Sequence, residues 1–140
     1  MVVHDVVARK ITNAQARLHQ VEGLLTRPRE EFTNDLQSRD LTAFYFLLAV
    51  QECIDLASHW VSESDWRPPD DAASAFDVLA DHGLITHQVA TTMRSAVGLR
   101  NRIAHGYAMV DHGRLYDEVR AGQGEIEEFL AALAEAAGLG

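Results

Sequence analysis

Between Leu41 and about Ser62 the chain is apolar on nearly every side of a helix, and that stretch limits the folds open to it. Phe44, Leu47, Val50, Ile54, Ala57 and Val61 recur at steps of three and four residues, the spacing of one helical face, while Tyr45, Phe46 and Leu48 are apolar on other sides. Such a helix belongs in the middle of a bundle or at a subunit interface, because water must be kept off more than one face. Asp40 is placed to cap its start. The longest continuous apolar run, Ala43 to Val50, is too short to cross a bilayer, and Met1-Val2-Val3-His4-Asp5 is not the basic start of a signal core. A cytoplasmic protein with no membrane contact is expected.

A second stripe precedes it. Val3, Val7, Ile11, Ala14, Leu18, Val21 and Leu25 alternate four- and three-residue steps, which predicts an amphipathic helix with Arg9, Lys10 and Arg17 on its polar side, either solvated or in contact with RNA or a partner. The pattern lapses at Arg27-Pro28-Arg29, and Glu30 to Gln37 reads as a turn of helix or a loop. Ser62 to Asp71, with Pro68-Pro69, is the clearest loop; its Trp66 either lids the bundle or lies at a partner surface. A short helix from about Ala72 to Asp81 turns Phe76 and Leu79 inward, Gly83 fits its C-terminal cap, and Thr86 caps the next helix, with Val89, Met93, Ala96 and Val97 inward. His82 and His87 read as surface residues. Asp111 caps a last helix through Leu115 and Val119, in which Gly122-Gln123-Gly124 predicts a break or kink before Ile126, Phe129, Leu130 and Leu133 resume the stripe. Gly138 to Gly140 is expected to fray. The whole, residues 1–140, reads as one all-α domain, an antiparallel bundle of four to five helices around the second long one. Cys53 stands alone in an apolar run, as a small buried side chain.

Asp55 and His59 lie one turn apart and can meet, either as a pair that satisfies a half-buried His or in support of a nearby site. The chemistry concentrates elsewhere, in Gly98-Leu99-Arg100-Asn101-Arg102-Ile103-Ala104-His105-Gly106-Tyr107. Arg100 and Arg102 carry planar forks of donors suited to a phosphate or carboxylate. His105, with an ordinary pKa of about 6.5, can take up a proton and return it near neutral pH. Asn101 can orient a neighbour, and Tyr107 offers a hydroxyl and a flat face. On a straight helix His105 sits roughly 140° round from Arg100. Gly106 loosens the backbone where a bend could return His105 to Arg100. The residue types leave a second account open, a solvated helix end with cations answering the dipole.

Arg100, four residues, His105, one residue, Tyr107 resembles the signature of HEPN domains. The longer string through Val110-Asp111, with Cys53 to Trp60 and Gly83-Leu84-Ile85, is similar to the HepT-type toxin ribonucleases, over Phe44 to Val119. The resemblance implies a metal-independent, cofactor-free endoribonuclease with Arg100 and His105 as catalytic residues at a homodimer interface. It further implies pairing with a nucleotidyltransferase-fold antitoxin that transfers AMP to the tyrosine, here Tyr107. Asn101, Arg102 and Asp111 would support the site. Arg102 and Ala104 depart from the family's more usual apolar residues, which alters local charge and removes neither catalytic residue.

A formal net charge of −9 argues against a protein that merely coats nucleic acid. The charge is uneven: Arg94 to Arg120 holds five Arg against Asp111, Asp117 and Glu118, whereas the tail from Ala121 has four Glu and no Lys or Arg. A locally basic cleft is enough for substrate capture. The acidic balance also suits a catalytically inactive HEPN module that binds a nucleotide or a nucleotidyltransferase, and a plain helical adaptor is a third reading.

Overall fold

The computed structural model describes residues 4–139. Its elements are α1 (His4–Leu24), α2 (Arg29–Asn34), α3 (Leu36–Glu63), α4 (Ser74–Asp81), α5 (His87–Gly106), a single 3-10 turn (Tyr107–Met109) and α6 (His112–Ala136). Four long helices make the bundle, and no strand occurs among the described residues. α1 packs along α3, α5 along α6, and the short α4 bridges α3 and α5.

The α1 stripe is buried from Val7 to Leu25; Val3 lies outside the described residues. Lys10, on the polar side, is not merely solvated, since its ammonium lies 3.5 Å from both Glu52 and Asp55 on α3. α2 forms where the chain was readable as helix or loop, because Phe32 has a core position to fill against Tyr116, with ring centroids 5.1 Å apart.

α3 starts five residues earlier than the sequence suggested. Asp35, not Asp40, caps it, accepting from the Gln37 N–H at 3.2 Å and the Ser38 hydroxyl at 2.6 Å. The same residue closes α2 through its own N–H to the Phe32 carbonyl, so one aspartate serves both helix ends and Asp40 falls inside the helix. Its core face keeps Val50, Ile54, Ala57 and Val61 of the expected stripe and is wider than that stripe. Ala43, Phe46, Val50, Cys53, Ala57 and Trp60 are buried, whereas Phe44 is 55% exposed. Burial pushes the Cys53 thiol far up, which keeps it an inert packing group. By length and composition α3 could cross a membrane, but half of its most apolar window is buried inside the bundle, which accounts for that composition.

At the α3–α4 corner Trp66 packs against the core, the lid of the two places open to it, and stacks on His82 with centroids 3.8 Å apart. Gly83, at φ 78°, completes a Schellman closure of α4, with Leu84 N–H bonded to the Leu79 carbonyl at 3.0 Å. Thr86 caps α5 as expected, accepting from Val89 N–H at 3.1 Å. α6 runs unbroken through Gly122-Gln123-Gly124. Two helical glycines cost roughly 1 kcal/mol each, and burial of Val119, Ile126 and Phe129 on either side outweighs that. Gln123 also donates to the Leu18 carbonyl of α1 at 3.2 Å. Gly138 and Leu139 do not fray but close α6 in a second Schellman turn, Leu139 N–H to the Ala134 carbonyl at 2.8 Å; Gly140 lies outside the described residues.

Candidate active site

Leu99 and Ile103 anchor the end of α5 in the core, and the polar residues between them are thereby turned outward on fixed sides of the helix. The backbone stays helical through Gly106, so the departure from helix geometry follows His105 instead of preceding it. Arg100 and His105 therefore remain roughly 140° apart around α5. The bend that was expected to bring them together within one chain is absent, because Gly106 is used to enter the 3-10 turn and not to redirect His105.

Arg100 faces α3. Its guanidinium donates through Nη1 to the Asn101 side-chain oxygen at 2.7 Å and through Nη2 to the Gln51 side-chain oxygen, and its Nε is buried without a partner. Both holders are neutral amides, so the positive charge is fixed in place and left uncompensated by them. The Gln51 amide is itself oriented, since its nitrogen donates to Asp55 at 2.9 Å and Asp55 is paired with Lys10. Lys10, Asp55, Gln51 and Arg100 thus form a relay across α1, α3 and α5. Asp55 is linked to Arg100 through Gln51, a residue that sequence reasoning missed. Its only signal was an amide in an apolar helix one turn before an aspartate.

His105 is exposed on the other side, in an open cleft of about 370 Å³ between the end of α5, the 3-10 turn and the start of α6. Arg102 and Arg114 enter the same cleft and share one carboxylate, Glu118, at 2.6 and 3.1 Å. Glu118 and Asp111 together balance the two guanidiniums, so the basic excess that the charge distribution suggested does not appear in the lining of this cleft. Asp111 lines this cleft and caps α6, accepting from Arg114 N–H at 2.9 Å. That backbone bond holds its carboxyl below the usual range.

Tyr107 opens the 3-10 turn and is half-buried, with its hydroxyl donating to the Asp40 carboxylate of α3. Burial, that hydrogen bond and the Asp40 charge all push the phenol well up, so it stays protonated at any working pH. The His112 ring lies edge-on at 6.0 Å, its Nδ1 buried without a partner. Burial and the nearby Arg39 hold this histidine below its ordinary pKa. Leu36 (62% exposed), Phe44 and Met109 (90%) are large apolar side chains left open to water around this end of the bundle. Among the described residues no three His, Cys, Asp or Glu side chains gather in a way that could hold a metal ion.

A helical bundle with no strand among the described residues, in which α5 and the turn after it carry Arg, four residues, His, one residue and Tyr, defines a HEPN domain. The family model described as ribonuclease HepT-like matches residues 14–133, and the chain belongs to that family. The curated mRNA nuclease HepT of Shewanella oneidensis is 24% identical over 131 residues, covering 91% of this chain and 96% of that protein. Among solved structures, a tri-AMPylated Shewanella oneidensis HEPN toxin in complex with an MNT antitoxin has a TM-score of 0.85 at 21% identity, covering 94% of this chain and 98% of that one. The Bacillus subtilis cytosolic protein YutE has the same fold at a TM-score of 0.72 and 15% identity, covering 89% of this chain and 88% of that one.

Proposed function

We propose that this protein is a cytoplasmic toxin that cleaves RNA without a metal ion, through Arg100 and His105 contributed by two copies of the chain. The carrying observation is the state of Arg100, a guanidinium immobilised by two neutral amide oxygens and, among the described residues, in no ion pair. Preorganised positive charge of that kind suits the extra negative charge of a phosphorane. RNA supplies its own nucleophile, the 2′-OH beside the scissile phosphate. The remaining needs are a proton acceptor for that hydroxyl and a donor for the departing 5′ oxygen, and an imidazole can serve as either near neutral pH.

Because one chain presents Arg100 and His105 on different sides of α5, a homodimer is the arrangement that brings an Arg100 to a His105. The second His105 then supplies the complementary acid. Leu36, Phe44 and Met109 are apolar surface that such an assembly would cover. Arg102 and Arg114 draw the RNA backbone toward the cleft, Asn101 steadies Arg100, and Asp111 fixes the start of α6 that forms the cleft wall. The partner is a nucleotidyltransferase-fold antitoxin that silences the toxin by placing AMP on Tyr107, as the tri-AMPylated relative suggests.

Cleavage of a labelled RNA in EDTA tests this reading, with Arg100→Ala and His105→Ala prepared in parallel. Wild type alone should cut and leave 2′,3′-cyclic phosphate ends. Cleavage by His105→Ala at the wild-type rate would sink the assignment. Failure of unmodified wild type on several RNAs would favour the inactive nucleotide- or partner-binding module, which the charge of −9 also suits.

A further inference from the structure

Asp40 has no place in the cleavage chemistry and no longer caps a helix, yet its carboxylate accepts the hydrogen bond of the Tyr107 hydroxyl across 67 residues of chain. We propose that Asp40 is the proton acceptor for nucleotide transfer onto Tyr107, so that the toxin carries the base for its own modification. The proposal rests on the reading that Tyr107 receives AMP.

The chemistry requires such a group. A phenol that burial and a neighbouring acid keep protonated is a poor nucleophile, and its proton must leave as the new bond forms. In the transfer from ATP, the bond from Tyr107 Oη to the α-phosphorus forms and the bond from that phosphorus to the oxygen bridging to the β-phosphate breaks. Pyrophosphate leaves with the electron pair, and the phenolic proton passes to Asp40. Geometry comes first for a base, and Asp40 already touches the oxygen that would attack. An aspartate taking the proton of an attacking hydroxyl is also the device of protein kinases. Asp40 is exposed and one helical turn from exposed Phe44, so a bound nucleotidyltransferase can reach it. The neighbours suit the product. Arg39 adjoins Tyr107, with its Nε buried and unpartnered, and His112 lies at the ring edge with an unpartnered Nδ1. Both are donors for the phosphodiester that replaces the hydroxyl proton.

The test uses the full chain with a nucleotidyltransferase-fold antitoxin of the MNT kind, ATP and magnesium, following AMP addition by intact mass and mapping it by peptide. Asparagine still accepts a hydrogen bond from the tyrosine but cannot take its proton. Asp40→Asn should therefore slow AMP addition on the order of a hundredfold in kcat with KM nearly unchanged, and Asp40→Glu should recover part of the rate. The Asp40→Asn rate should also climb steadily from about pH 7 to 9 as a growing fraction of phenolate forms, where wild type stays flat. Wild-type rates on Tyr107 in Asp40→Asn overturn the proposal alone. No AMP on wild type, or AMP still added to Tyr107→Phe, overturns the reading of Tyr107 beneath it.

Discussion

The two ends of the bundle are built on opposite terms. At the end that holds α4, the start of α5 and the tail of α6, aromatic rings close the core: Phe76 meets Phe129 edge to face at 5.3 Å, and Trp66 lies over His82. The loops there are capped by Asp71 and Thr86 and by the positive-φ Gly83. At the other end, where α5 runs out beside the starts of α3 and α6, Arg39, Arg100 and His112 keep buried nitrogens without partners. Large apolar side chains there face water. Unsatisfied polar atoms and bare hydrophobes both cost stability, and a fold keeps them where something else must bind. The closed end holds the molecule together; the open end carries the groups to which the proposed function assigns RNA, a second copy and the antitoxin.

Mutations should separate the two. The largest contrast is between His105→Ala and Phe129→Ala. The first should lower RNA cleavage by about a hundred- to ten-thousandfold and leave the melting temperature nearly unmoved. The second should cost about 3–5 kcal/mol of stability while the molecules still folded cut normally. A large melting shift in His105→Ala would break the comparison.

Gln51 sharpens it. Replacing Gln51 by Leu frees the Arg100 guanidinium and should reduce cleavage about ten- to a hundredfold, the worth of a hydrogen bond to a charged group. Gln51→Glu should also reduce it, because a carboxylate there would hold Arg100 in place but quench its charge. Full activity in Gln51→Glu would mean that position, and not charge, is what the relay protects.

Smaller effects belong to the caps. Asp111→Ala should remove the cap from a helix whose start forms one wall of the cleft, read as a slightly lower melting point. Asp35, Asp71 and Asp111 all have carboxyls below their ordinary pKa, through the bonds they accept at helix starts. The unfolded chain therefore binds more protons as acid is added, so their stabilisation is whole above about pH 4 and drains away below it. Urea midpoints measured against pH should fall on that acid limb, and less steeply in Asp111→Asn.

The helices themselves were legible, because stripes at three- and four-residue steps and capping residues such as Thr86, Gly83 and Asp111 are local signals. Two aspartates five residues apart were not separable. Asp35 caps α3 only because α2 ends there, and α2 exists only because Phe32 finds Tyr116 across the fold. The Arg100 to Tyr107 string was legible as a cluster, and the placement of its members on different sides of α5 follows from the helical period. What could not be read was which residues of α3 meet them. Gln51 and Asp40 owe their roles to the pairing of α3 with α5, and pairing between distant segments leaves no mark in either segment alone.

The unbroken run of α5 from Arg100 to His105 has a genetic consequence. If each cutting centre draws its arginine from one copy and its histidine from the other, two harmless alleles can make a harmful pair. Co-expressed Arg100→Ala and His105→Ala chains should assemble at random into mixed dimers that hold one intact Arg100–His105 pair and lack the second His105. Such a culture should show some cleavage, but no more than roughly a quarter of the wild-type level by the symmetry of a two-fold assembly, and slowed growth where neither allele alone has any effect.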